Sequence, residues 1–183
     1  MEKTEQKKRQ LIENMADYLL EKGLEQFTLR SLGVAVGISD RMLLHYFVDK
    51  NELLTVTLTE ISNRLLKKLQ LLQPEPLSQP QLIGFLANLI DNPEILPYTN
   101  LWLEMTAASV RRSGIYQNVA SQIANAFLVW IRTSLKAEEQ SEHPNAPELI
   151  FTFIEGMVLL NALGQKSTTQ LALNGYLHQK VTD

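Results

Sequence analysis

The 183-residue sequence contains no cysteine, which excludes a disulfide framework and any zinc site built on thiolates. It also lacks a long apolar run. The richest stretch, residues 146–163, is interrupted by Glu148, Glu155 and Asn161, so it does not read as a membrane span. Histidine is scarce: His45, His143 and His178 are far apart in the chain. No H-E-x-x-H pair, G-x-S-x-G elbow or phosphate-cradling glycine loop occurs. The sequence therefore gives no reason to expect an enzyme, a metal or a cofactor. The opening MEKTEQKKRQ is charged and has no signal-like apolar segment, so a cytoplasmic location is expected. No strand pattern and no internal repeat is present.

Excess charge of one sign is also missing. The formal net charge is −3, but it is unevenly spread. Residues 1–73 hold 11 Lys and Arg against 10 Asp and Glu, leaving +1, and residues 74–183 hold 6 against 10, leaving −4. The sign of the difference suits nucleic-acid binding by the N-terminal part, and its small size predicts modest non-specific affinity.

What is present is helix. The segment 28–47, TLRSLGVAVGISDRMLLHYF, is the organising one. Leu29, Leu32 and Val36 recur at helical spacing, with Thr28 placed as N-cap. Gly37 supplies the left-handed residue at which a helix ends and the chain turns. Ser39 caps a second helix that Leu43 and Phe47 would anchor, with Ile38 in the turn, and Gly33 sits where the two helices cross. Two short helices, a glycine turn and a small residue at the crossing predict a helix-turn-helix. In such a unit the second helix enters the major groove with its N-terminal residues at base edges. Here these are Asp40, Arg41 and Met42, with Leu44, His45 and Tyr46 one turn on. An ordinary helical hairpin in an all-α core has the same spacing.

Residues 27–54, FTLRSLGVAVGISDRMLLHYFVDKNELL, resemble the DNA-binding segment of TetR-family transcriptional repressors. The likeness lies in Thr28, the Gly37-Ile38-Ser39 turn, the Leu43-x-x-Tyr46-Phe47 ending and the Lys50-x-x-Leu53-Leu54 start of the next helix, and it extends over about residues 7–54. There are departures. Leu44 stands where the family usually has a phosphate-contacting tyrosine, Asp40 where lysine or a neutral polar residue is common, and Gly33 where alanine is usual. The resemblance implies an all-α protein: a three-helix DNA-binding head followed by a larger helical body for ligand binding and dimerisation. It implies DNA contact by Thr28, Arg30, Ser39, Asp40, Arg41, Met42, His45, Tyr46 and Lys50.

A first helix is predicted over 7–22, with Leu11, Ile12, Met15, Leu19 and Leu20 as its apolar stripe and Gly23 at its end. The cluster Lys7, Lys8 and Arg9 reads first as a solvated terminus. Asp49 and Glu52 resemble a capping box, Glu52 reaching back to the cap residue. Lys50 then lies beside free N–H groups suited to a phosphate. The long helix from 50 runs to about 73, where Pro74, Pro76 and Pro80 break it. The head is expected at 1–54, the linking helix to about 73 and the body at 74–183. Helices are expected over 81–90, 98–112, 115–136, 148–163 and 168–181, with a polar stretch between 136 and 148.

In the body, Phe85, Tyr98, Trp102, Met105, Phe127, Trp130, Phe153 and Met157 spread over four helices. A packed core would use them, and so would a pocket for a small apolar or cationic ligand. Glu104 and Glu155 read first as residues of wet helix faces. The pair Arg111-Arg112 reads as a solvated helix end. Asn161 would orient a polar ligand group or cross a subunit interface. Residues 148–163 carry more apolar surface than one stripe needs, which predicts a homodimer through the last two helices, with Leu149, Phe153, Val158 and Leu160 as interface candidates. The expected partners are a double-stranded DNA operator, a second copy of the chain and the ligand, with no membrane. Two other readings are a helical regulator that acts through a protein partner with weak or lost DNA binding, and, less favoured, a helical small-molecule enzyme.

Overall fold

The computed structural model describes residues 2–111 and 114–182. Among them are ten α-helices: α1 (Glu2–Lys22), α2 (Leu29–Val36), α3 (Asp40–Tyr46), α4 (Lys50–Leu72), α5 (Gln79–Leu89), α6 (Leu96–Arg111), α7 (Ile115–Ser134), α8 (Ala137–Glu142), α9 (Ala146–Ala162) and α10 (Lys166–Thr182). A single 3-10 turn, Leu24–Gln26, joins α1 to α2. The protein is all-α. Extended pairing among the described residues is confined to one isolated bridge, Leu77 with Leu135. The helices form two compact units, the first of residues 1–67 and 100–123, the second of residues 68–99 and 124–183. Residues 100–123, which the sequence assigned to the body, thus pack with the first unit.

In the first unit Leu11, Met15, Ala16 and Leu19 of α1 are buried, while Ile12 and Leu20 are half-buried. They meet Phe27, Leu32, Leu43, Phe47 and the inner face of α4 (Leu53, Leu54, Leu58, Ile61), all buried. Each such side chain contributes roughly 1.5–3 kcal/mol on leaving water. Polar groups then tie α1 to α4. Arg64 bonds Asp17 at 2.6 Å, Glu60 at 2.8 Å and the Glu13 carbonyl at 3.1 Å. The buried Thr57 hydroxyl is satisfied by the Leu53 carbonyl at 2.7 Å.

In the second unit α5, α9 and α10 pack together. Leu82, Ile83 and Leu86 of α5, Ile150, Ile154, Met157 and Val158 of α9 and Leu173 of α10 are buried there, as are Trp130, Ile131 and Leu135 near the end of α7. The Leu77 N–H donates to the Ser134 carbonyl at 2.9 Å, and the Lys136 N–H to the Leu77 carbonyl at 3.0 Å. These bonds fix the proline-containing link against the end of α7.

Helix order agrees with the sequence expectation, and most ends lie within two residues of it. Three local features differ. α1 begins at Glu2 rather than at 7, and the polar stretch after α7 contains α8, a six-residue helix with no buried residue. An apolar stripe is therefore no guide to it. The Leu24–Gln26 turn is likewise too short to leave a periodic signal.

Candidate nucleic-acid interface

The turn that presents α3 is built almost entirely by short-range chemistry. The Thr28 hydroxyl accepts the Ser31 N–H at 3.1 Å, and the Ser31 hydroxyl faces the Thr28 N–H at 3.3 Å, closing a capping box on α2. Gly37 ends α2 with φ +72°, a conformation that L side chains avoid. Ser39 caps α3 by accepting the Met42 N–H at 3.2 Å. Gly33 allows close approach, but to the turn itself. A Cβ there would lie 2.7 Å from the Ile38 carbonyl oxygen and 3.2 Å from the Asp40 nitrogen. The sequence placed this contact between the two helices; the geometry puts it on the Ile38 peptide.

Leu43 and Phe47 lock α3 onto the core, both essentially fully buried. Asp40, Arg41, Met42, Leu44 and His45 are exposed, and Tyr46 is half-buried. At 3.6 residues per turn, Arg41 and His45 share the ridge opposite the buried side. His45 meets Tyr46 edge-on, with ring centroids 5.5 Å apart. The Asp40 carboxylate accepts the Arg41 N–H at 2.8 Å, which places one negative and one positive charge at the start of the helix.

Lys50 is exposed in the first turn of α4, its ammonium 5.7 Å from the centre of the Phe27 ring, within cation–π reach. Thr28 and Arg30 are exposed beside α2. Lys8 is not a free member of the basic N-terminal cluster. It bonds Glu52 at 2.8 Å and lies 5.0 Å above the Phe47 ring. Asp49 caps α4 by accepting the Glu52 N–H at 2.8 Å. Glu52 reaches back one residue further than a capping box requires, to the Val48 N–H. The Lys8 ammonium, and then the Val48 N–H, hold its carboxyl below the usual carboxylate range.

The arrangement is a helix-turn-helix whose second helix offers an exposed, partly cationic ridge. No family model matches the chain. The chain is 29% identical over 168 residues to the HTH-type transcriptional regulator BetI of Klebsiella pneumoniae (strain 342), covering 87% of this chain and 84% of that protein. It is 27% identical over 184 residues to the BetI regulator of Escherichia coli (strain K12), covering 96% and 92%. The fold matches a protein described as a TetR-family transcriptional regulator from Rhodococcus sp., with a TM-score of 0.70 and 17% identity, over 94% of this chain and 97% of that one. The chain is thus similar to HTH-type transcriptional regulators and shares the fold of a TetR-family regulator. A second fold match is the transcriptional regulator FadR from Bacillus subtilis in complex with stearoyl-CoA, with a TM-score of 0.62 and 17% identity over 93% and 95% of the two chains.

The aromatic and methionine candidates for a ligand site fall in both units. Trp102 (half-buried) and Met105 (buried) belong to the first, and Phe85, Tyr98, Phe127, Trp130, Phe153 and Met157 to the second. Within the second unit Phe127 stacks on Trp130 with centroids 5.6 Å apart and meets Phe151 at 5.8 Å, and Phe153 meets Tyr176 at 5.7 Å. The buried Trp130 Nε1–H has no acceptor among the described residues. Burial raises the pKa of Tyr176, with the Gln79 side chain acting the other way.

Glu104 is not on a wet face. Its carboxylate accepts the Leu24 N–H at 2.5 Å, an interaction 80 residues long in sequence that no local pattern signals. The Asn161 side-chain oxygen accepts the Thr169 hydroxyl at 2.6 Å, which ties α9 to α10. Glu155 is half-buried on α9 and Arg111 is exposed at the end of α6; Arg112 lies outside the described residues. Of the interface candidates, Leu149 is exposed, while Phe153 and Leu160 are half-buried. Val158 is buried within its own chain and belongs to the core. Among the described residues no helix is long and apolar enough to cross a membrane, and no group of His, Asp and Glu is placed to hold a metal ion.

Proposed function

We propose that this regulator is a cytoplasmic homodimeric repressor. It binds a palindromic double-stranded DNA operator through α3 and releases it when a small ligand occupies the helical body. One observation carries the reading: the Arg41–His45 ridge is exposed on a helix that Leu43 and Phe47 fix rigidly to the core. Such a helix is shaped to enter a major groove. Arg41, Met42 and His45 would face base edges. Thr28, Arg30, Ser39, Asp40 and Tyr46 would border them, and Lys50 would meet a phosphate beside the free N–H groups of α4. The proposed reading head is residues 1–54, with residues 74–183 as ligand and dimer body.

α9 supports the dimer. Its buried side, Ile150, Ile154, Met157 and Val158, packs inside the chain. Leu149, Phe153, Leu160 and Leu163 recur at i, i+4, i+11 and i+14 as a second apolar stripe that is exposed or half-buried. A two-fold contact along that stripe would cover it and pair two recognition helices. The ligand is proposed to be small and apolar or cationic, held in the second unit near Phe127 and Trp130, where the unpartnered indole N–H would meet an acceptor. Such a ligand must change Trp130 fluorescence and weaken DNA binding by the same factor as DNA weakens its own binding. Compounds that alter the fluorescence without affecting DNA would contradict the gating.

Selection of bound DNA from a random pool by the purified protein, at two salt concentrations, tests the reading. A palindromic consensus is expected at both, with affinity falling as salt rises. Recovery of DNA without a consensus would contradict it.

A further inference from the structure

We infer that Met42 and Leu44 read thymine methyl groups, so that the operator carries thymines flanking the base pair met by Arg41. The inference rests on the proposal that α3 enters a major groove, and it names what that helix recognises there.

Few large hydrophobic side chains are exposed among the described residues of the first 67. The large exposed hydrophobics among the described residues of that stretch are Val34, Met42, Leu44 and Val48, all in α2, α3 or the turn after α3. α1 and the first five turns of α4 show none. On α3 the side opposite Leu43 is centred between Arg41 and His45. Helix geometry then puts Leu44 and Met42 about 80° to either side of that midline. Both are only partly covered, at 45% and 43% exposure. The two apolar side chains thus flank the cationic ridge, where the helix would face the base pairs on either side of the one under Arg41.

The chemistry of the groove narrows what they can meet there. Each base pair in the major groove offers donors and acceptors, and one base alone adds an apolar group, the C5-methyl of thymine. Leu44 has no polar atom in its side chain and cannot bond a phosphate. Met42 has only a thioether sulfur, a weak acceptor, so neither flank supplies a strong hydrogen bond. Apolar contact with a methyl group is the discriminating interaction that the flanks can supply, and it separates thymine from cytosine at the same position.

The test uses the full-length protein and a duplex obtained by random-pool selection. Each thymine is replaced singly by deoxyuridine, which removes the methyl group and nothing else. At one or more thymines per half-site the wild type should lose about fourfold in affinity, the change expected for uncovering one methyl-sized group. That loss should vanish in Leu44→Ala or in Met42→Ala, each at its own position. Both side chains are partly exposed, so the variants should unfold at the wild-type temperature, which circular dichroism checks. A selected site that binds with preference but tolerates every deoxyuridine would overturn the inference and leave the DNA-binding reading standing. If no sequence is preferred at all, that reading fails, and this inference fails with it.

Discussion

The Glu104 carboxylate on α6 holds the Leu24 amide at 2.5 Å, and it does so over Gly23, whose φ is +82°. A Cβ on Gly23 would lie 2.8 Å from the nearer carboxylate oxygen. The glycine therefore has two reasons to be there: the backbone conformation and the room the carboxylate needs. A hydrogen bond to a charged group contributes about 1.5–3 kcal/mol. Glu104→Ala should lower unfolding stability by about that much and speed amide exchange at the buried Leu24. Unchanged urea midpoint and unchanged Leu24 exchange would show that the contact contributes nothing.

Gly33→Ala addresses the turn. The new methyl group would stand 2.7 Å from the Ile38 carbonyl oxygen, a backbone atom rather than a flexible side-chain end. Overpacking of this kind costs about 1–3 kcal/mol. The expected outcome is a lower thermal midpoint together with weaker DNA binding, because the Ile38 peptide leads directly into α3. A variant as stable as wild type would mean that the turn shifts freely.

A pH dependence follows from Glu52. In the folded protein its carboxyl is held below the ordinary value of 4.5 by the Lys8 ammonium and the Val48 N–H. A depressed folded-state pKa means that the unfolded chain takes up the proton first as pH falls. Glu52 thus adds stability at neutral pH, and that contribution is lost as pH drops below 4.5 and through the folded-state value. Glu52→Gln should therefore be less stable than wild type at pH 7, with the gap closing in acid. A gap of constant size from neutral to acid pH, measured by denaturant titration, would remove Glu52 from the acid response.

Leu163 is 66% exposed and ends the second apolar stripe. The wild type should sediment as a dimer at micromolar concentration, and Leu163→Glu should shift it toward monomer while leaving its circular dichroism unchanged. A wild-type monomer under those conditions would contradict the proposed interface.

The parts of the fold that sequence made legible are those fixed over a few residues. Thr28, Gly37 and Ser39 each act on the backbone within three or four positions, so cap, turn and cap could be read directly. Helix order in the body followed from apolar periodicity and proline breaks. What escaped were contacts between elements distant in the chain. Lys8 pairs with Glu52 across 44 residues and Glu104 with Leu24 across 80, and neither spacing leaves a local signature. α9 shows the same limit differently. Its apolar residues are dense all round, so the sequence announced an excess of apolar surface but not that Val158 lies on the inner side.

If the outer face of α3 reads DNA, Arg41 is the residue whose loss shows it most directly. The measurement is the affinity of wild type and Arg41→Ala for the selected operator and for each of its single-base-pair variants. A bidentate arginine–guanine contact discriminates by about 1–3 kcal/mol. Arg41→Ala should thus lose preference at one base pair per half-site and keep it elsewhere. Lys50→Ala, a phosphate contact, should weaken every variant equally and reduce the salt slope by about one unit. A preference profile for Arg41→Ala identical to wild type at every position would contradict the account.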